Sequence, residues 1–340
     1  MSTNKSDHEP VTTRDGFDWV STLGRTAVGL LSPGGSNNRV SILIYHRVLP
    51  QKDPLFPGEV DASEFEQQLR RLKSCMNFIS LSDAVSGIRC GNLPPRAACV
   101  TFDDGYADNA EVALPILQKL GLPATFFVAT GFLDGGRMWN DSVIEMVRRV
   151  SGPLLDLRAI DLGSFDVGTT PQRQQAISTL IGTLKYLPLE ERRMQIERMS
   201  DRLQLELPNN LMMTSAQVAQ LHNAGMEIGG HTVSHPILAR LSSSDARFEI
   251  AKGKEALEDI IQTPVRFFAY PNGKPGQDYF SEHVRIVKDL GFDAAVSTAW
   301  GAMSANADLH QLPRFTPWDR AAHRFVLRVA KNLLGQAQTA

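Results

Sequence analysis

Short apolar runs alternate with amphipathic stretches from residue 41 to residue 297, and this rhythm limits the chain to a layered α/β architecture. The runs are SILIY (41–45), AACVTF (97–102), ATFFVA (124–129), 226–229, RFFAY (266–270) and 294–297. Between them, residues 62–73, 109–120, 214–224, 246–261 and 279–290 have helical period and helical length. A run such as ATFFVA is apolar on both faces, which suits a parallel strand covered by helices. The pattern fits either a barrel or a doubly wound sheet. Local punctuation agrees: Ser63 with Glu66 predicts a capping box, Thr214 predicts a helix start, and Gly121, Gly225 and Gly291 each separate a helix from a strand.

The rhythm breaks over 131–210. Residues 164–170 (SFDVGTT) read as loop and 172–205 as charged helix, a length too great for a simple crossover. We therefore expect a helical insertion at about 132–210, within a domain at 39–320 that follows an N-terminal extension (1–38) and precedes a C-terminal helix and tail (321–340). The segment MWND (138–141) leads into the insertion and could border a cleft, although a Trp before an apolar helix more often packs.

Composition excludes several function classes. With 35 Lys and Arg against 37 Asp and Glu, the chain has no basic excess to attract nucleic acid. Its three cysteines form no CxxC spacing and no disulfide framework. No stretch reaches the roughly 20 apolar residues of a membrane span, and no signal-peptide pattern is visible, so the expected location is cytoplasmic. Phe17, Val20, Leu23, Ala27, Val28 and Leu31 recur at helical spacing opposite Asp18, Ser21 and Arg25. A helix docked on the domain explains this better than a weak membrane-surface contact through 17–31, a peripheral placement that stays open.

Chemistry concentrates at predicted strand ends. In TFDDG (101–105) two adjacent carboxylates close a buried strand. Neighbouring strand side chains point to opposite faces, so Asp103 and Asp104 reach one site only if the chain turns, which Gly105 permits. In parallel α/β folds the strand C-termini carry active sites. Taken alone, DDG is also a common turn. In GGHTVSHP (229–236), His231 and His235 stand four residues apart after another apolar run, a spacing that brings two imidazoles to one side. A lone histidine is usually structural; a pair at this spacing, matched by an acidic pair on a different strand, points to a divalent metal.

TFDDG together with HTVSHP resembles the polysaccharide deacetylase family, also called the NodB-homology or carbohydrate esterase family 4 fold, over about residues 41–315. That resemblance implies a distorted, incomplete (β/α) barrel. It also implies Asp103 as catalytic base and Asp104, His231 and His235 as ligands of a divalent ion, with Zn2+ the expected one. Three protein ligands leave a position for water, which such an ion acidifies, while an acid must protonate the leaving amine. His46, in ILIYHRV (42–48), is the favoured acid, because the chain looks like the circularly permuted, exopolysaccharide-deacetylase-like members with a YH-x-V segment near the start; His310 competes.

Where many members carry an Arg-Pro-Pro-Tyr-Gly type run, this chain has Ala269, Tyr270, Pro271, Asn272 and Gly273. The resemblance then assigns the oxyanion contact to the Asn272 backbone N–H, with Tyr270 beside it. Arg314 of LPRF (312–315) is expected to supply the absent guanidinium to Asp103, and Trp300 to offer an apolar wall to an acetyl methyl or sugar face, or else to pack under a loop. The expected reaction is N-deacetylation of an amino sugar in a polysaccharide or glycan precursor, with an acetylated carbohydrate as partner. An O-acetyl esterase or small-molecule amidase of the same fold is the nearer alternative, and a catalytically silent carbohydrate-binding protein the more distant one.

Overall fold

A computed structural model describes residues 24–316, 322–335 and 338–340. Six strands, all parallel to their neighbours, form the main sheet: β1 (Ser41–Tyr45), β3 (Ala97–Phe102), β4 (Thr125–Val128), β7 (Glu227–Gly230), β8 (Phe267–Ala269) and β9 (Ala294–Val296), in the order β1-β3-β4-β7-β8-β9. A two-residue β2 (Asn77–Phe78) adds to β3. The helices between them are α1 (Ala62–Cys75), α2 (Leu81–Cys90), α3 (Leu114–Leu120, entered through a wide turn at Asn109–Ala113), α7 (Ser215–Asn223), α8 (Ser243–Ile261) and α9 (Ser281–Asp289); α10 (Ala322–Leu334) follows near the end.

The sheet curls until its two outer strands share one partner. Leu312 pairs with Val296 of β9 and Phe315 with Leu43 of β1. Backbone bonds run from Ser297 N–H to the Leu312 carbonyl (2.8 Å) and from Phe315 N–H to the Ile42 carbonyl (2.9 Å). The LPRF segment thus bridges the open side of a distorted barrel. Alternation along each strand sorts the side chains into two buried layers. Ile42, Cys99, Phe127, Phe267, Ala269, Ala294, Val296 and Leu312 pack together with Leu81, Ala84 and Val85 of α2. Leu43, Tyr45, Val100, Phe102, Phe126, Val128, Ile228, Phe268 and Phe315 instead pack with the other helices.

The insertion has a core of its own. It comprises α4 (Trp139–Arg149), the antiparallel pair β5 (Leu154–Asp156) and β6 (Ser164–Asp166), α5 (Thr170–Leu184) and α6 (Leu189–Leu203). Val143, Met146, Val147, Leu155, Ile177, Leu180, Leu184 and Met199 are buried within it. Two expectations are corrected here. Residues 164–166 are strand rather than loop, and the first helix is capped by Asp61, which accepts from the Glu64 N–H at 2.8 Å, rather than by Ser63. Of the amphipathic segment 17–31, residues 17–23 lie outside the described residues. Residues 24–31 are helical, with Val28 in the main core and Leu31 packed against it, as in a helix docked on the domain. Among the described residues no helix is long and apolar enough to cross a membrane.

Close approach inside the barrel dictates glycine at 229, where a Cβ would stand 2.4 Å from the buried Phe127 ring. Gly229→Ala should therefore destabilise the fold by ~1–3 kcal/mol, as overpacking does, with partial rescue by Phe127→Leu; denaturant melts of the two single variants and the double variant measure it.

Candidate active site

The site assembles where β1, β3, β7 and β8 end. Thr101 on β3 and Asp103 just past its end share a face by alternation, and both meet Arg314, which alternation on the bridging segment places beside Leu312. The Arg314 guanidinium donates to both Asp103 oxygens at 2.7 Å, to the Thr101 hydroxyl at 3.1 Å and to the Ser297 carbonyl at 3.0 Å. Both partners of this pair are buried. Burial alone would raise the Asp103 pKa, but Arg314 and then His231 outweigh it and hold the carboxyl below its ordinary value.

Asp104 escapes strand geometry through a left-handed backbone, φ +75°, followed by Gly105 at +90°. A Cβ at 105 would sit 2.9 Å from the Val128 side chain. The turn is fixed by the Ala129 N–H to the Asp104 carbonyl (3.2 Å) and the Met213 N–H to the Gly105 carbonyl (2.9 Å). It delivers Asp104 Oδ1 to 3.4 Å from His231 Nε2 and 3.3 Å from His235 Nε2.

Among the described residues, Asp104, His231 and His235 are the cluster whose ligand atoms all lie within 4.8 Å of one another. Asp104 Oδ1 is buried with no hydrogen-bond partner. An orphaned carboxylate oxygen facing two imidazole nitrogens fits a divalent cation. The His231 Nδ1 lies 2.7 Å from the Ala269 carbonyl, a contact that places its proton there and leaves Nε2 as a ligand atom. Burial would lower the His231 pKa, but Asp104 and Asp103 raise it above the ordinary value. His235, half-buried, is pushed down to about 4 by desolvation, with the adjoining His231 adding to the shift against the pull of Asp104.

The loop carrying both histidines is strained and clamped. Thr232 (φ +68°) and His235 (φ +52°) adopt left-handed backbones, which for a β-branched residue costs of order 1–3 kcal/mol. Glu249 of α8 accepts from the Val233 and Ser234 N–H groups at 2.9 and 2.8 Å and from the Ser234 hydroxyl at 2.7 Å. Gly253, one turn on, lets the helix approach so closely that a Cβ would lie 2.8 Å from the Thr232 carbonyl group.

A cavity of about 400 Å³ opens over this centre, lined by Asp103, Asp104, His231, His235, His46 and Asn272, among others. Asn272 also has a left-handed backbone, φ +58°, and its carbonyl accepts from the Thr298 hydroxyl at 2.7 Å. His46 is exposed at the cavity wall, its carbonyl held by the Asn109 side chain at 2.9 Å. Four residues singled out from the sequence do not line this cavity, Arg314 being buried against Asp103. Tyr270 is buried, stacked 3.9 Å from Tyr279, with its hydroxyl on the His310 carbonyl. The His310 ring meets the Phe292 carbonyl at 2.9 Å. Trp300, 38% exposed, borders a separate depression beside α10.

Other residues of the site gave little sequence signal. Asp108 binds Arg47 at 2.8 Å and the Val48 N–H at 3.1 Å, fixing the segment after His46. Asp141 of α4 lines the cavity; burial, then the nearby Asp104 charge, against the pull of Arg47, push its carboxyl up to about 7. The MWND segment, whose Asn140 and Asp141 both line the cavity, was the available hint.

Residues 91–151 and 183–295 match the sequence model of the polysaccharide deacetylase family, and the chain belongs to that family. The Bacillus subtilis (strain 168) protein YxkH, itself named for this family, is 21% identical over 278 residues, covering 81% of this chain and 70% of YxkH. The poly-β-1,6-N-acetyl-D-glucosamine N-deacetylase of Staphylococcus aureus is 38% identical over 87 residues, which span 25% of this chain and only 30% of that enzyme. Among solved structures, the Streptococcus pyogenes deacetylase PplD in complex with acetate superposes with a TM-score of 0.55 at 21% identity, covering 82% of this chain and 92% of PplD. IcaB from Ammonifex degensii gives the same score at 19% identity, covering 89% and 99%. These likenesses share the fold. Family and site together define a metal-dependent hydrolase of the deacetylase type.

Protons compete with the cation for the raised His231, so affinity for a divalent ion should weaken as pH falls through the neutral range, with proton release on binding. Calorimetric titrations in buffers of different ionisation enthalpy measure both. Glu249→Ala, which frees the histidine loop, should weaken ion binding by about 10- to 100-fold.

Proposed function

We propose that this protein removes N-acetyl groups from amino sugars of a polysaccharide or glycan precursor, with zinc held by Asp104, His231 and His235, Asp103 as general base and His46 as general acid. The observation that carries the proposal is a carboxylate oriented by two charge-assisted hydrogen bonds, standing beside a three-ligand cluster at the floor of one cavity. One carboxylate and two imidazoles are a donor set that suits zinc.

When bound, the ion would supply Lewis-acid activation of water and of the amide carbonyl. Asp103, kept ionised by Arg314, accepts the proton of the attacking water. The Asn272 backbone N–H, at the cavity wall, donates to the carbonyl oxygen as negative charge develops on it. His46 gives its proton to the departing amine, so that the C–N bond breaks to a neutral amine and acetic acid, which then loses its proton to solvent as acetate. An acid at the end of β1, ahead of the TFDDG segment, supports placing this chain with the circularly permuted, exopolysaccharide-deacetylase-like members.

Purified protein should release acetate from N-acetylglucosamine oligomers, and chelator should stop it. Release from O-acetylated xylan alone would move the assignment to an esterase, and no release from either would remove it. Arg314→Ala leaves the Asp103 carboxylate buried without its counter-ion. Turnover should fall by roughly 10²–10⁴-fold, and the acid limb of the kcat–pH profile should move to higher pH as the Asp103 pKa rises. Unchanged turnover and profile would remove Arg314 from the machinery.

A further inference from the structure

One wall of the cavity comes from the insertion, whose helix α4 contributes Asn140, Asp141, Ile144, Glu145 and Arg148. Most of its charge is internally matched: Arg148 binds Asp53 and Glu145, and Arg149 also binds Glu145. Asp141 is different. It is 4% exposed, one oxygen accepts from the Tyr106 hydroxyl at 3.3 Å, and the other, Oδ2, is buried with no partner. The neighbouring cation does not serve it, since the Arg47 side chain bonds to Asp108 and lies 4.6 Å over the Tyr106 ring. Nor does Asp141 belong to the ligand cluster or to the Arg314 pair.

A buried carboxylate oxygen lacking a donor is costly, and natural proteins keep few such atoms without a use. Here the residue lines a cavity wall, its other oxygen held by a tyrosine hydroxyl, close to the Asp104, His231 and His235 cluster in the same cavity. The missing donor is therefore one that arrives with the ligand. A pyranose offers several hydroxyl donors, and a few placed polar groups in a cavity are what orient such a ligand.

Resting on the amino-sugar reading above, we propose that Asp141, positioned by Tyr106, is a specificity-determining residue that accepts a hydrogen bond from a ring hydroxyl of the sugar whose amide is cleaved. The insertion then supplies sugar recognition, while the barrel supplies the hydrolytic groups.

The test compares an N-acetylglucosamine dimer with its 3-, 4- and 6-monodeoxy analogues, reading both kcat/KM for acetate release and Kd by calorimetry. Wild type, Asp141→Ala and the isosteric Asp141→Asn are used as zinc-loaded full-length protein, with melting temperature and metal content confirming that each variant is folded. Assayed at about pH 8 to 8.5, above the value of about 7 to which burial pushes the Asp141 carboxyl, wild type should discriminate against one deoxy analogue by about 10- to 100-fold, the worth of one hydrogen bond to a charged group. Asp141→Ala should bring that ratio close to one, raising KM more than it lowers kcat. Asp141→Asn, should Asp141→Ala not fold, should reduce the same ratio. Discrimination that persists in the variants overturns the proposal, and so does its absence from the wild type. If wild type binds the sugars with this discrimination and the variants lose it, yet no acetate is released, Asp141 stands and the hydrolytic reading falls. If acetate is released and discrimination is unchanged in the variants, the hydrolytic reading stands and the role of Asp141 falls; neither binding nor release overturns both.

Discussion

The buried ion pair between Arg314 and Asp103 ties the catalytic centre to the closure of the barrel. Arg314 belongs to the four-residue segment that bridges β9 and β1, so its guanidinium reaches Asp103 only when the sheet has curled. Its guanidinium bonds cross between distant parts of the chain: Thr101 on β3, Asp103 just after it, and Ser297 after β9. Two charges taken out of water contribute little net stability compared with an apolar pair of similar volume, whereas breaking such a pair costs about 3–5 kcal/mol. The pair is therefore better understood as orienting a carboxylate than as holding the fold together. The bidentate geometry fixes the carboxyl plane, and the charge keeps it ionised.

Around that fixed point the chain adopts conformations it would not take in isolation. Asp104, Thr232, His235 and Asn272 all have left-handed backbones, and all four lie at or beside the cavity. Each is held by partners from another element: Ala129 on Asp104, Glu249 and Gly253 on the histidine loop, Thr298 on Asn272. Strain of this kind persists only where surrounding structure over-determines it. The long helix α8 is thus part of the site although none of its side chains lines the cavity.

Much of this was legible in the sequence for identifiable reasons. The main strands announced themselves because they are buried on both faces and so read as unbroken apolar runs. TFDDG and HTVSHP were legible together: either alone has ordinary structural uses, but an acidic pair and a histidine pair at the ends of two different strands form a ligand set. The β5–β6 pair was not, because its strands are three residues long and mostly exposed, leaving no apolar alternation to read. Tyr270 follows an apolar strand just as His231 does, yet its ring packs with Phe268 and Tyr279 in the core rather than in the cavity; a strand end does not say which way a residue points. Asp108, Asp141 and Glu249 sit near or within helices, where an acidic residue is ordinarily solvated, and their roles arise only from contacts made in three dimensions.

The central claim is a division of labour between adjacent aspartates: Asp104 holds the ion with His231 and His235, while Asp103, engaged by Arg314, does not. Calorimetric titration of zinc into wild type, Asp103→Asn and Asp104→Ala tests it most directly. One tight site per chain is expected in wild type and in Asp103→Asn, and loss of that site in Asp104→Ala. Tight binding that survives Asp104→Ala, or disappears in a folded Asp103→Asn, would contradict it.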